Sequence, residues 1–436
     1  MNMKRLFQLT NRQNVSSVSA QIRYKHRRPE WYQYRRPTEP HELAREFFDG
    51  LYSKRFVKDW PPIRCAMMSR KKYAAVINNH TYSYEIEREL EESGAIDIVS
   101  VLHNKAKVMC ELITKDIVKE REKVRDDIMR HPEAETAEER ASFIEEQLIT
   151  NDKLQWLNEQ LRTFQKLSNV CYGLKVYAYP KRNLTEFVDA YERQSSSSIL
   201  NYFLLDGSSI LPILALDPQS NEHILDACAA PGGKLMCIMQ ICKDGSGSII
   251  ANDISSSRVK RLKNVQNEYI PKNASIRERM KATNLDAAEL GEIEPNTYDK
   301  VLVDVPCTND RDSILSSVES RDNIFSELRK RERANLPQVQ SDILRSAILS
   351  CRPGGTVVYS TCTASLQQNE YVVQMTIQQL LHTYGISCEI ENLTPLTNLL
   401  KDYFHYFQET ELGILTLPFL EANFGPAYMC KIIRTR

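Results

Sequence analysis

Two thiols stand where an active-site loop is expected. In "DVPCTND", Asp304 to Asp310, a Pro-Cys pair closes an apolar run; in "VVYSTCTASLQQNE" a second thiol, Cys362, closes another. A thiolate can attack an electron-poor carbon. A free thiol with a pKa near about 8.5 is only a few per cent ionised at neutral pH, so a site that uses one must activate it. Cys307 and Cys362 are therefore alternative nucleophiles, each weighed against the plainer role of a small buried side chain at a strand end. A third stretch, "DACAAPGGK", has the composition of a ligand-binding turn: Cys228, Ala229, Ala230, Pro231, Gly232 and Gly233 precede Lys234 and the apolar "LMCIMQIC". Its glycines let backbone N–H groups approach a ligand closely. Asp253 stands twenty residues beyond Gly233, where a carboxylate can accept from ribose hydroxyls, and Arg258 is assigned to the same site. G-x-G-x-x-G is absent, which favours a smaller adenosyl cofactor over a dinucleotide. Asp286 in "TNLDA" either reaches an adenine edge or caps a helix.

These residues need a scaffold that brings loops together. Apolar runs at 222–230, 247–254, 298–306 and 355–363 read as buried strands separated by amphipathic helices. Alternating strand and helix implies an α/β fold, Rossmann-like, with a mainly parallel sheet covered on both faces. Ligands in such sheets bind at the carboxyl ends of the strands, where each of the motifs falls.

Taken together, "DACAAPGGK", "NDIS", "TNLDA", "DVPCT" and "YSTCT" closely resemble, in order, the motifs of the Nol/Nop/Sun-domain RNA (cytosine-5)-methyltransferases. The resemblance covers residues 200–436. It extends upstream through "WPPIRCAMMSRKKYAAVINN" and "YFLLDGSSILPILAL" to the mitochondrial branch that methylates small-subunit rRNA. It implies a class I methyltransferase fold, S-adenosylmethionine as cofactor, and a cofactor site made of Cys228 to Lys234, Asp253, Arg258, Asp286 and Asp304. It also implies Cys362 as the nucleophile on cytosine carbon 6, Cys307 as the residue that assists release, and Asp304 as the partner of the cytosine amino group or ring nitrogen. The chain departs from the family at Leu235, where Thr is frequent, and at Thr308 and Thr363, where Ser is frequent; the threonines keep a hydroxyl. Two competing functions are a DNA cytosine methyltransferase attacking through Cys307 and a non-catalytic ribosome assembly factor. The intact Thr-Cys motif disfavours the first, and the intact Asp304, Cys307 and Cys362 disfavour the second.

At 436 residues the chain has room for two domains. The expected division is a segment 1–29, a mainly helical region 30–199 carrying a charged helical insertion at 105–165, and a methyltransferase domain 200–436. "WPPIRCAMMSRKKYAAVINN" reads as a turn and a further helix. Leu154, Leu157, Leu161 and Phe164 recur at helical spacing, which is read first as core packing and second as a partner-binding face. The first 29 residues hold seven Lys/Arg and no acid, the composition of a mitochondrial presequence, which places the protein in the matrix. No apolar stretch approaches a membrane span, and the eleven scattered cysteines show no C-x-x-C spacing, so neither a zinc site nor a disulfide framework is expected.

The whole chain balances 57 Lys/Arg against 57 Asp/Glu; without the first segment 50 cations face 57 acids, a charge of about −7. Phosphate binding needs local cations. The densest cluster in the catalytic half is Arg321, Arg329, Lys330, Arg331 and Arg333, read as an RNA contact against the alternative of a solvated helix face. The charge deficit and the resemblance together imply a protein partner of the mitochondrial transcription termination factor family.

Overall fold

The computed structural model describes residues 39–81, 84–130, 137–188, 199–316 and 322–436. The expected presequence, Arg321 and the low-complexity stretch "QSSSS" at 194–198 lie outside the described residues.

Two sheets organise the chain. The smaller is antiparallel, built from β1 (Tyr73–Ile77), β2 (Ile96–Asp97), β3 (Val176–Ala178) and β4 (Tyr202–Asp206) in the order β2-β3-β1-β4. The larger has nine strands: β5 (Ile224–Asp226), β6 (Ile249–Asn252), β7 (Met280–Thr283), β8 (Tyr298–Asp304), β9 (Cys351–Thr361), β10 (Cys388–Ile390), β11 (Tyr406–Phe407), β12 (Ile414–Thr416) and β13 (Ala427–Arg434). Their order is β11-β12-β13-β9-β8-β5-β6-β7, with β10 paired to β13. Strands β5 to β9 are mutually parallel and β10 to β13 antiparallel. Each of the four expected strands is present. Their apolar runs follow from burial on both faces: Val301, Leu302 and Val303 in β8 and Val357 to Tyr359 in β9 are wholly buried. From β5 the chain winds outward through β6 and β7, then returns to place β8 on β5's other side. The carboxyl ends of β5 and β8 thus diverge in connection and leave a crevice between their loops.

The N-terminal region is mainly helical, as expected, with α1 (Pro40–Phe56), α2 (Trp60–Met68), α3 (Tyr84–Glu92), α4 (Ile98–Arg130), α5 (Ala137–Thr150) and α6 (Asp152–Leu167). The sequence pattern predicts a helix where β1 lies. Ala74 to Ile77 are buried and pair with β4 on one side and β3 on the other, so tertiary pairing overrides the local pattern. Strand β4 lies just past residue 200, yet it pairs with β1. Asn151 caps α6, its side chain accepting from the Leu154 N–H at 2.9 Å. The stripe on α6 packs inward: Leu154, Leu157 and Phe164 are buried and Leu161 half-buried, in one cluster with Leu102, Ala106, Ile113 and Ile117 of α4. Each fully buried apolar side chain contributes about 1.5–3 kcal/mol, so the stripe is a packing face.

Helix α1 carries Ala44, Phe48, Tyr52 and Phe56 on one buried stripe with a four-residue period. That stripe joins Val301, Val303, Val305 and Tyr359 of the large sheet in one hydrophobic cluster. The N-terminal region is therefore packed directly beneath the loops that carry the two thiols. Among the described residues no helix is long and apolar enough to cross a membrane.

Candidate active site

Strand β8 ends at Asp304, with Pro306 and Cys307 beyond it; β9 ends at Thr361, with Cys362 next. In the parallel pairing Asp304 faces Ser360, so the residues after each strand emerge side by side. The outcome is a pair of thiols 3.1 Å apart, Cys307 Sγ to Cys362 Sγ. Asn309, in the left-handed region at φ 47°, turns back over them. Its N–H donates to Cys307 Sγ at 3.3 Å, and its Oδ1 accepts from Cys362 Sγ at 3.3 Å.

Asp304 is held on both oxygens. Lys234 Nζ donates to Oδ2 at 2.7 Å, and Ser360 Oγ donates to Oδ1 at 2.7 Å. Lys234 lies in the first turn of α7 (Gly233–Ile241). Burial works against its charge, but the Asp304 carboxylate outweighs that and raises its pKa. The Cys362 thiol is pushed well above its ordinary value, chiefly by the contact with Cys307, then by burial and the Asp304 charge, with Lys234 opposing. Asp226, at the end of β5, is pushed up to about 8, first by burial and then by Asp304. Both of its carboxylate oxygens are buried without a hydrogen-bond partner of good geometry.

Two cavities meet at these residues. The larger, about 1020 Å³, is lined by Asp253, Arg258, Asp286, Pro306 and Cys307 among others. The smaller, about 540 Å³, is lined by Lys71, Tyr73, Phe203, Asp226, Lys234 and Arg311 among others. Asp304, Asn309 and Cys362 line both, together with Cys228, Ala230 and Pro231.

The residues assigned to the cofactor divide between the two. Asp253 is 2% exposed; its Oδ1 accepts from the Ser255 N–H at 2.9 Å, and Arg258 Nη1 lies 3.2 Å from Oδ2. Arg258, from α8 (Ser256–Tyr269), also donates to the Ala230 carbonyl, tying the turn to the next strand end. Asp286 accepts from the Ala288 N–H at 3.0 Å in the turn ahead of a short helix whose N-cap is Glu289, and it lines the larger cavity. Ala229, Gly233 and Lys234 face the smaller cavity. Gly232 sits at φ 118°, a conformation costly for any residue with a Cβ, and a Cβ there would meet Val265 and Leu262 of α8. The turn needs its glycine for backbone shape, while a Cβ on Gly233 would press on the Phe203 ring at 3.2 Å.

The basic cluster is partly engaged within the chain. Arg329 donates to both oxygens of Glu332, at 2.8 and 2.5 Å, which raises its pKa. Arg333 donates to the Ile324 carbonyl at 3.0 Å and lies 4.6 Å above the Phe325 ring. The short α9 (Asp310–Leu315) is followed by α10 (Lys330–Ser350), at whose start Lys330 and Arg331 are exposed.

Several residues were not singled out in the sequence. Ser360 and Asn309 touch the acid and the thiols, and behind them Tyr52, Asp310 and Gln368 form a buried polar set with Thr308 and Thr363, which the sequence marked only as departures from the family. The only signal available was the density of small polar residues directly after each motif cysteine.

Residues 213–398 match the family model described as 16S rRNA methyltransferase RsmB/F. The chain is 36% identical over 397 residues to the 5-cytosine rRNA methyltransferase NSUN4 of Bos taurus, covering 90% of this chain and 88% of that protein. It is 34% identical over 241 residues to the mitochondrial tRNA (cytosine(34)-C(5))-methyltransferase of Mus musculus, covering 55% of this chain and 66% of that one. A methyltransferase homologue from Pyrococcus horikoshii shares the fold, with a TM-score of 0.52 at 16% identity over 91% of this chain and 99% of that one. The fold and the paired motif cysteines are those of an RNA (cytosine-5)-methyltransferase. Within that class, the chain belongs to the Nol/Nop/Sun family, in the group of NSUN4-like 5-cytosine rRNA methyltransferases.

Proposed function

We propose that the protein methylates carbon 5 of a cytosine in mitochondrial small-subunit rRNA, with Cys362 as nucleophile and S-adenosylmethionine as methyl donor. One observation carries this reading: Asp304 and Cys362 stand in the wall shared by the two cavities, so a base in the smaller one and a cofactor in the larger one would meet there. The larger cavity fits the cofactor in its chemistry, with the Asp253 carboxylate at a strand end beside the turn that Gly232 shapes. Asp253, Asp286 and the turn from Cys228 would hold it, and when bound it supplies an electrophilic methyl group.

The protein's own residues prepare carbon 5 to receive that methyl. Addition of the Cys362 thiol across the ring puts sulfur on carbon 6 and, through Asp304, its proton on the ring nitrogen. The electron pair of the 5,6 double bond moves between carbons 4 and 5, giving an enamine that is nucleophilic at carbon 5. Asp304, fixed by Lys234 and Ser360, accepts from the cytosine amino group, which selects cytosine and stabilises the adduct. Cys307, 3.1 Å from the attacking sulfur, takes the carbon 5 proton after transfer. The double bond reforms, the sulfur–carbon bond breaks, Cys362 regains its electron pair, and the ring-nitrogen proton returns to it through Asp304.

The basic, acid-free start supports a matrix location, and relatives named as rRNA methyltransferases support the substrate. A duplex base would have to be flipped into this cavity, so a loop or loosened helix is the easier target. Lys330 and Arg331 are the exposed cations offered to its phosphates. A partner of the mitochondrial transcription termination factor family would offset the acidic balance of the remaining chain. Bisulfite sequencing of mitochondrial RNA is expected to lose one protected small-subunit cytosine when the protein is removed. An unchanged pattern, with ribosome assembly impaired, would favour the assembly-factor role instead.

Calorimetry tests the cofactor site. Gly232→Val should abolish measurable S-adenosylmethionine binding, because the turn cannot keep φ 118° with a branched side chain. Asp253→Ala should weaken it roughly 10- to 100-fold, the loss of hydrogen bonds to a charged group. Undiminished affinity in both folded variants would move the cofactor elsewhere.

A further inference from the structure

We infer that the N-terminal helix α1 is a working part of the catalytic apparatus: Tyr52, acting through Asp310, is a positioning residue that holds the two thiol-bearing loops in register. The inference rests on the covalent mechanism proposed above and goes beyond it, because neither residue touches the cavity thiols.

The geometry is a buried bracket. Asp310 is completely buried, one turn beyond Cys307, and its carboxylate takes hydrogen bonds from three places. Thr308 Oγ1, next to Cys307, donates to Oδ1 at 2.6 Å. The Ala364 N–H, two residues past Cys362, donates to Oδ2 at 2.9 Å. Tyr52 OH, from α1, donates to the same Oδ2 at 2.5 Å and lies 3.3 Å from Thr363 Oγ1. Thr308 and Thr363 themselves sit 3.0 Å apart, oxygen to oxygen. One carboxylate therefore joins the residue after one thiol to the residues after the other, and the phenol closes the join.

A carboxylate taken wholly out of water persists only when donors replace its hydration. Burial pushes the Asp310 carboxyl up, and the donors from Thr308, Tyr52 and Ala364 pull it back. Burial first, then Asp310, also raises the Tyr52 phenol well above its ordinary value, so its hydroxyl keeps the proton it donates. Arg55, one turn along α1, reinforces the second loop by donating to the Ala364 carbonyl at 2.7 Å and pairing with Glu370 at 3.2 Å. A small displacement of either loop would change the 3.1 Å approach of the two sulfurs and the line of attack on carbon 6.

The tyrosine ring has its own reasons to stay in place, which makes the hydroxyl separable from the fold. It stacks on Phe48 with centroids 5.2 Å apart and meets Trp60 edge-on at 5.3 Å. Tyr52→Phe keeps these contacts and removes only the donor.

The test uses the full-length protein and a small-subunit rRNA fragment whose cytosines carry fluorine at carbon 5, which blocks elimination and traps the Cys362 adduct. Single-turnover adduct formation is read on a denaturing gel, with S-adenosylmethionine affinity and RNA KM measured alongside. Tyr52→Phe should slow adduct formation at least about tenfold, as small misplacements of reacting groups do, and leave both affinities within about twofold. Phe48→Leu, which loosens the same stripe but keeps every hydrogen-bonding group of the bracket, should lower the thermal midpoint and leave the adduct rate of folded protein unchanged. Asp310→Asn should slow the adduct step at least as much as Tyr52→Phe. A wild-type adduct rate in Tyr52→Phe, or a loss matched by Phe48→Leu at equal thermal destabilisation, would overturn the positioning role while leaving the mechanism standing. A wild-type protein that forms no adduct would overturn the covalent mechanism, and this inference with it.

Discussion

Cys362→Ala is expected to abolish methyl transfer and to leave no covalent protein–RNA complex, whereas Cys307→Ala is expected to methylate once and remain attached to its RNA. The two outcomes follow from the proposed division of labour between sulfurs 3.1 Å apart. Without Cys362 nothing adds to carbon 6, and carbon 5 never becomes nucleophilic. Without Cys307 the addition and the methylation proceed, but the carbon 5 proton has no base and the sulfur–carbon bond cannot break. A denaturing gel with labelled small-subunit rRNA should show a slow band for Cys307→Ala only. The pH dependence adds a second readout. The chief cause raising the Cys362 thiol is its contact with Cys307, so Cys307→Ala should lower that thiol's pKa. The reactive form is the thiolate, so its population in the variant should rise at lower pH than in wild type. The adduct-formation profile of Cys307→Ala should therefore shift toward acid. The reverse gel pattern would make Cys307 the nucleophile and place the protein with DNA-type enzymes. An adduct in neither, with no methylation by wild type, would favour the assembly role.

Much of this site was legible because a parallel sheet converts sequence order into spatial order. Once the apolar runs at 222–230, 247–254, 298–306 and 355–363 are read as parallel strands, the residues that follow them have to share one edge. That logic places Cys307 near Cys362 although fifty-five residues separate them. It gives no access to contacts that depend on side-chain reach. Lys234, grouped with the cofactor turn by its place in "DACAAPGGK", pairs with Asp304 and lines the smaller cavity, a contact that its position in the turn does not reveal. Arg329 and Arg333, grouped as a basic cluster by adjacency, find partners in Glu332 and Phe325 that only the folded geometry brings to them. Strand β1 was hidden for a related reason. "YAAVI" is short and alanine-rich, and its strand state is decided by β3 and β4, which arrive from more than a hundred residues away. The buried bracket behind the thiols was the least visible feature, since it spans α1 and both motif loops and none of its members has a distinctive spacing.

Asp304→Asn is expected to reduce kcat/KM for RNA by about 10²–10⁴-fold, the range seen when a positioned acid–base group is lost. Asparagine keeps the shape and can still accept from Ser360, so the fold and the larger cavity should persist and S-adenosylmethionine should bind normally. What disappears is the charge that holds Lys234 at 2.7 Å and the group that moves a proton to the ring nitrogen. Lys234 is buried against that carboxylate, which outweighs the cost of burying the ammonium; without it the lysine is an unpaired charge in the cavity wall. Lys234→Met should therefore cost less in the Asp304→Asn background than alone, with a coupling of about 0.5–3 kcal/mol in a double-mutant cycle. Losses that simply add would mean that the two side chains act independently and that the ion pair does not fix the carboxylate for catalysis. Near-wild-type turnover in Asp304→Asn would remove the carboxylate from the chemistry and leave recognition of cytosine to the smaller cavity's other walls, where Asp226 is the next acid, buried and pushed up to about 8.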